Sequence, residues 1–367
     1  MLKKPLQQNR QVEQSGFVLS SDGMVPGGRE VAVCLSDSNF GISANKGQVY
    51  YLPVLLEKCN AAPLPTGCTG FFRRMKNKAL ERSVQRFSET NNIMIYPSAL
   101  INSRDVPYLL MGIVNVTPDS FFDGGKYHMV DSAVAHARKL AADGAHILDI
   151  GGASSRPGAK PVPEKEEIRR ILPVVEEVAA FFDGPVSIDT TSSGVARAAI
   201  EAGASWVNDI SAGRTDPEMV RLAAQAGCTV VLMHSRGTPE SMQQKAQYGD
   251  VVEEVIRELT AAVKNYTDGG VAMRNVVIDP GIGFAKTAKD NLELLRGMER
   301  IVALGYPVLI GTSRKSFIGC LTGRDVEGRL AGTLASVAAA YKCGVCIFRV
   351  HDVAETGDFL KVLSELI

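Results

Sequence analysis

The chain has 367 residues, 45% hydrophobic and 22% charged, with 40 basic and 40 acidic side chains. That composition is too apolar and too balanced for disorder, and zero net charge argues against a nucleic-acid partner for the chain as a whole. No apolar run reaches the roughly 18 residues of a membrane helix, and the lysines of the opening MLKKPLQQNRQVEQ have no apolar stretch behind them, so cytoplasmic residence is expected.

The neutrality hides an asymmetry. Residues 1–105 carry 13 Lys and Arg against 8 Asp and Glu, and the remainder 27 against 32. An anionic substrate bound in the second part therefore needs a local cationic pocket. Residues 1–105 mix Gly, Pro and Ser with short apolar pieces (GGREVAVCL, GQVYYLPVLLEKC, NNIMIY), and the first 25 or so read as unstructured. The stretch 73–86 holds six basic residues and one acid, which suits a solvated helix face or an anion patch. The expectation is an N-terminal extension or small α+β domain with no recognisable chemistry. Seven scattered cysteines are not a disulfide framework. Cys343 and Cys346 form a CxxC inside an apolar run, where buried, inert thiols are expected.

From 106 to 367 the pattern changes. Short apolar runs recur at 109–114 (LLMGIV), 146–150 (HILDI), 185–189 (PVSID), 205–209 (SWVND), 229–233 (TVVLM), 275–279 (NVVID), 307–311 (PVLIG) and 344–350 (GVCIFRV). Amphipathic or Ala-rich stretches lie between them, at 131–143, 164–182, 194–202, 217–225, 251–267, 291–304 and 328–343, with a last one at 354–366. Pro163-Glu164 reads as a helix start. Asp143-Gly144, Ala202-Gly203 and Ala226-Gly227 put glycine where a helix C-terminus wants it. Eight strand–helix alternations predict an α/β fold, a (β/α)8 TIM barrel, with a doubly wound open sheet as the rival. Trp206 is expected to pack the fourth strand against a helix.

Polar residues cluster where these runs end: Asn115, Asp149, Asp189, Asn208-Asp209, His234, Asp279, Ser313-Arg314-Lys315 and Arg349-His351. In barrels that rim carries the chemistry. After the first strand comes a loop with Pro118, Phe121, Phe122, Gly124 and Gly125, whose phenylalanines have nothing to fill unless the loop closes over something. Asn115 offers an amide oxygen suited to Mg²⁺. In the second loop, DIGGASSRPGA, glycines allow close backbone approach and Arg156 supplies a cationic fork. Asp189, Asn208 and Asp279 are matched to a planar heterocycle with several N–H donors, to which Lys315 adds a donor. Arg156, Arg349 and His351 suit phosphate oxygens. His234 fits a loop cap and a substrate edge equally well.

The blocks NVTPDSFFDGG, DIGGASSRPGA, SIDT, NDI, LMH, IDPGIGFAK, GTSRKSFIG and RVHDV, in order across about residues 107–367, resemble the dihydropteroate synthases of folate biosynthesis. The resemblance implies a TIM barrel that joins 6-hydroxymethyl-7,8-dihydropterin pyrophosphate to p-aminobenzoate. Asp189, Asn208, Asp279 and Lys315 match the pterin pocket, Met233 matches a contact on the pterin face, and Arg349 is expected to stack on the ring. Asn115, Arg156, Arg349 and His351 match pyrophosphate positions, with Mg²⁺ near Asn115. Ser155, Pro157, Phe284, Lys315 and Ser316 match the p-aminobenzoate side, and Phe121 the mobile first loop. Asp189, Lys315, Arg349, His351 and Arg156 form the implied catalytic set. The family also implies a homodimer through barrel helices, for which the Ala-rich stretch 334–341 suits close packing.

The chain departs from the usual GGESTRPGA at two places, with Ala153 for glutamate and Ser155 for threonine. A synthase with reduced sulfonamide sensitivity is therefore one alternative. A second is a pterin-binding methyltransferase, although Arg156, SRKS and RVHDV favour pyrophosphate chemistry. A non-catalytic pterin binder is a third.

Overall fold

In the computed structural model, the described residues are 31–36, 39–44, 48–51, 107–117 and 126–367. The first 25 residues, the basic stretch 73–86 and Phe121 lie outside them. The chain divides into two units, Met1–Asn91 and Asn92–Ile367. The first contains an antiparallel sheet of β1 (Val31–Ser36), β2 (Asn39–Ala44) and β3 (Gln48–Tyr51), in that order.

The second unit is an eight-stranded parallel barrel. Its strands are β4 (Leu109–Asn115), β5 (Ile147–Gly151), β6 (Val186–Asp189), β7 (Trp206–Asp209), β8 (Thr229–Met233), β9 (Val276–Asp279), β10 (Leu309–Ile310) and β11 (Ile347–Val350). The order β10-β11-β4-β5-β6-β7-β8-β9 leaves β9 and β10 as the two ends. A parallel bridge between Ile278 and Val308 joins them, and the Ile278 N–H donates to Pro307 O at 3.0 Å. The sheet therefore closes on itself, which rules out the open alternative.

Side chains alternate across each strand. One set points outward under the helices: Leu110, Val114, Leu148, Ile150, Ile188, Val207, Val230, Leu232, Ile278 and Phe348 join the large outer core. The other set fills the barrel, where Leu109, Met111, Ile147, Trp206, Val231, Val277, Leu309 and Ile347 form a separate cluster. Trp206 thus points into the barrel and not against a helix. It shares the inward phase of Asn208, two residues later on the same strand.

The helices are α1 (Lys126–Ala142), α2 (Glu164–Phe181), α3 (Ser193–Glu201), α4 (Glu218–Ala226), α5 (Val251–Asp268), α6 (Ala288–Arg296), α7 (Met298–Val302), α8 (Ser316–Thr322), α9 (Leu330–Lys342) and α10 (Val353–Ser364). Their ends follow local chemistry. Ser192 Oγ accepts from Val195 N–H at 3.3 Å, Asp250 caps α5, and Thr287 with Asp290 makes a capping box on α6. Gly227 closes α4 in the left-handed conformation at φ 63°. The stretch read as one helix over 291–304 is two. They meet at Gly297, where a Cβ would come within 2.8 Å of a Val252 methyl. Cys343 and Cys346, expected to be buried, are half-buried free thiols, and desolvation raises the pKa of both. Among the described residues no helix is long and apolar enough to cross a membrane.

Trp206 is the only tryptophan in the sequence and is fully buried. Trp206→Ala should therefore cost about 3–5 kcal/mol, measured as the shift in urea unfolding followed by far-ultraviolet circular dichroism.

Candidate active site

Two residues further toward the C-terminal rim, the same inward phase turns from hydrocarbon to polar groups, Met233 excepted. Asp149, Asp189, Asn208, Met233, Asp279 and Arg349 come from β5, β6, β7, β8, β9 and β11. Arg349 Nε donates to Asp149 Oδ2 at 2.6 Å and Nη2 to Asp189 Oδ2 at 2.8 Å. Asn208 Nδ2 donates to the same Asp149 oxygen at 3.0 Å. Asp149 Oδ1 and Asn208 Oδ1 are buried without a hydrogen-bond partner. Burial raises the Asp189 carboxyl, and Arg349 pulls it back while Asp149 pushes it further up. Burial also pushes Asp279 up to about 6, opposed by the Gly281 N–H and Lys315. The floor is thus an acceptor surface whose negative charge is incompletely compensated.

The turn after β9 shapes one wall. Gly281 N–H donates to Asp279 Oδ1 at 2.7 Å. Gly281 is left-handed at φ 69°, and a Cβ there would overlap the His234 carbonyl oxygen. Beyond it, Phe284 faces the cleft with Lys315 Nζ 4.1 Å from its ring centroid. Burial, with Arg349 adding, lowers Lys315 to about 8. Lys286 is buried, donates to Phe284 O at 2.9 Å, and lies 2.9 Å from His234 Nδ1. His234 Nε2 meets Glu258 Oε2 at 2.9 Å. A lysine donor at Nδ1 sets the tautomer with hydrogen on Nε2, so His234 braces the turn from behind.

The opposite wall carries cations. Arg314 Nε and Nη2 grip Asp352 at 3.1 and 2.6 Å. Ser313 Oγ accepts from the His351 backbone N–H at 3.2 Å and lies 2.9 Å from His351 Nδ1. With the hydroxyl donating to Nδ1, the imidazole keeps its hydrogen on Nε2. Burial, Arg349 and Arg314 lower His351 to about 4, so it is a neutral donor near pH 7. Arg156 is exposed on the second loop, which Gly158 N–H ties to Pro239 O at 2.9 Å.

Asn115, Ser155, Arg156, Pro157, Asp189, Asn208, Met233, Asp279, Phe284, Lys315, Ser316, Arg349 and His351 all line one cleft of about 750 Å³. Arg349 reaches across the floor between two carboxylates. Asp149 and Ser313 were expected at strand ends without an assigned role, and Lys286 was not singled out at all. For Asp149 the signal was available, because its strand phase matches Asp189 and Asn208. Asn115 presents a neutral amide oxygen, and no cluster of three His, Cys, Asp or Glu able to hold a metal occurs among the described residues. Such a donor set suits Mg²⁺ that arrives with phosphate oxygens already bound.

A barrel with this acceptor floor and cationic rim defines a pterin-binding enzyme, and the family model described as pterin binding enzyme matches residues 111–351. Dihydropteroate synthase from Bacillus subtilis is 44% identical over 279 residues, 76% of this chain and 95% of the relative. That from Synechocystis sp. is 45% identical over 258 residues, 70% of this chain and 89% of the relative. The solved structure of Xanthomonas albilineans dihydropteroate synthase with 4-aminobenzoic acid superposes with a TM-score of 0.67 at 46% identity. It covers 71% of this chain and 93% of its own. The same enzyme in complex with 7,8-dihydropteroate gives a TM-score of 0.64 at 43% identity, with the same coverage. The chain belongs to the dihydropteroate synthase family.

Between about pH 6.5 and 4 the unfolded chain gains a proton at His351 that the folded chain does not. Stability from a neutral His351 is thus present above that window and lost as pH falls through it. The wild type should lose stability relative to His351→Gln on going from pH 7 to pH 5, read as the difference between their urea midpoints.

Proposed function

We propose that the chain joins 6-hydroxymethyl-7,8-dihydropterin pyrophosphate to p-aminobenzoate, giving 7,8-dihydropteroate and pyrophosphate. The observation that carries this reading is the buried acceptor floor of Asp189, Asn208 and Asp279, bridged by Arg349, beside Arg156 and the neutral donor His351. The pterin's N–H edges satisfy the floor, Lys315 donates to the ring, and Met233 packs on its face. Asn115 would hold the Mg²⁺ that neutralises pyrophosphate charge when bound.

The bond from the pterin methylene carbon to the bridging oxygen breaks first, and its electron pair leaves on pyrophosphate. Arg156, Arg349 and the His351 Nε2–H take up that developing charge. The positive charge left on the pterin is stabilised by Asp189 and Asp279, whose raised pKa values mark carboxylates in need of a cation. The arylamine nitrogen then forms the C–N bond, and its proton passes to water or to the departed pyrophosphate. Ser155, Pro157, Phe284 and Ser316 orient the p-aminobenzoate. No protein nucleophile enters.

Cytoplasmic residence and a homodimer belong to the same reading. Ala331, Ala335 and Ala339 are exposed at every fourth position of α9, a face on which a second copy can pack closely. Ala335→Glu should shift the mass seen by light scattering from dimer to monomer.

The decisive experiment is steady-state formation of dihydropteroate from the two substrates with Mg²⁺, with and without sulfamethoxazole. Turnover blocked by the drug is the expected result, and absence of turnover would overturn the reading. Arg349→Ala should lower kcat by about 10²–10³-fold, and near-normal activity in that variant would remove Arg349 from its assigned role.

A further inference from the structure

Arg349 joins two carboxylates that are not equivalent. Asp189 faces the cleft, whereas Asp149 is fully buried beneath it and is absent from its lining. Asn208 Nδ2 holds the Asp149 carboxylate at 3.0 Å, on the same oxygen that takes Arg349 Nε at 2.6 Å. A molecule entering the cleft can compete for Asp189, to which Nη2 donates at 2.8 Å, and has no access to Asp149.

The pyrimidinone edge of a pterin carries an amino group between two ring nitrogens, which is close in chemistry to a guanidinium. Ring and arginine are therefore alternative donors to Asp189. We propose that Asp149 is a positioning residue that keeps Arg349 Nε while the pterin displaces Nη2 from Asp189, so that the freed end of the guanidinium turns to the pyrophosphate. This rests on the reading of the chain as a dihydropteroate synthase. Asp149 acts as the pivot and touches no substrate. Pterin binding thus assembles part of the anion site, and the two ligands strengthen each other's binding by the same factor.

The test is calorimetric titration of the full-length wild type with inorganic pyrophosphate and Mg²⁺, in the presence and absence of 6-hydroxymethylpterin. Pterin should tighten pyrophosphate binding at least about fivefold, and pyrophosphate should tighten pterin equally. In Asp149→Asn the factor should fall toward one, and kcat should drop on the order of tenfold or more, with a smaller change in KM for the pterin substrate. Equal pyrophosphate affinity with and without pterin in the wild type would overturn the proposal, and so would full coupling in the variant. The wild-type titration decides alone if Asp149→Asn does not fold. Because it needs no turnover, failed coupling in an enzyme that makes dihydropteroate sinks this proposal and leaves the function standing.

Discussion

One guanidinium compensates the charge at the top of this barrel. Asp149 and Asp189 each accept a hydrogen bond from Arg349, and Asn208 donates a further one to Asp149. Burying two carboxylates this deeply is costly without a cation in contact. Arg349 comes from β11, whose register with β4 sets Arg349 beside Met111. The strand order puts only β4 between β11 and β5, and β4 and β5 between β11 and β6, so the pairing of the last strand with the first is what makes the ion pairs possible.

Much of this was legible in the chain. The eight apolar runs fixed the strand count because each ends at a turn signal followed by a helical period. The cleft residues were legible because polar residues stand at or just beyond the end of one apolar run after another. What escaped has physical reasons. Asp149 looked like one strand-end polar residue among many, and only phase shows that it lies below the floor. Trp206 reads as a large apolar residue that either face of the sheet could accept, and only closure of the barrel decides which. The neutrality of His351 follows from burial beside two arginines distant in sequence. Asp209, next to Asn208, has the outward phase. Its carboxylate is consumed by Ser211, Gly213 and Tyr266, so it serves the turn and not the cleft.

The second loop illustrates how a sequence departure can be absorbed. Its root does not depend on residue 153. Arg170 Nη1 holds Gly152 O at 2.9 Å, and a Cβ on Gly152 would press to 2.6 Å against Ile171. The loop is therefore seated on α2 from below. Glu167 of α2 lies under the same root, with burial raising its carboxyl and Oε1 left without a partner. A carboxyl group of the helix thus already lies against this root, in a chain where position 153 carries alanine.

The seam between β9 and β10 is the shortest join of the barrel, a single bridge beside a strand of two residues. Asp279 stands at the end of one lip, and Lys315 follows the other by a few residues. The parallel ladders elsewhere act as staves of a cask, and this seam is the stave least firmly held. A ligand that engages Asp279 and Lys315 together spans the gap and acts as a hoop. The cylinder gains rigidity at the place where it is weakest, and the stiffness of the empty and filled forms should differ there before it differs anywhere else.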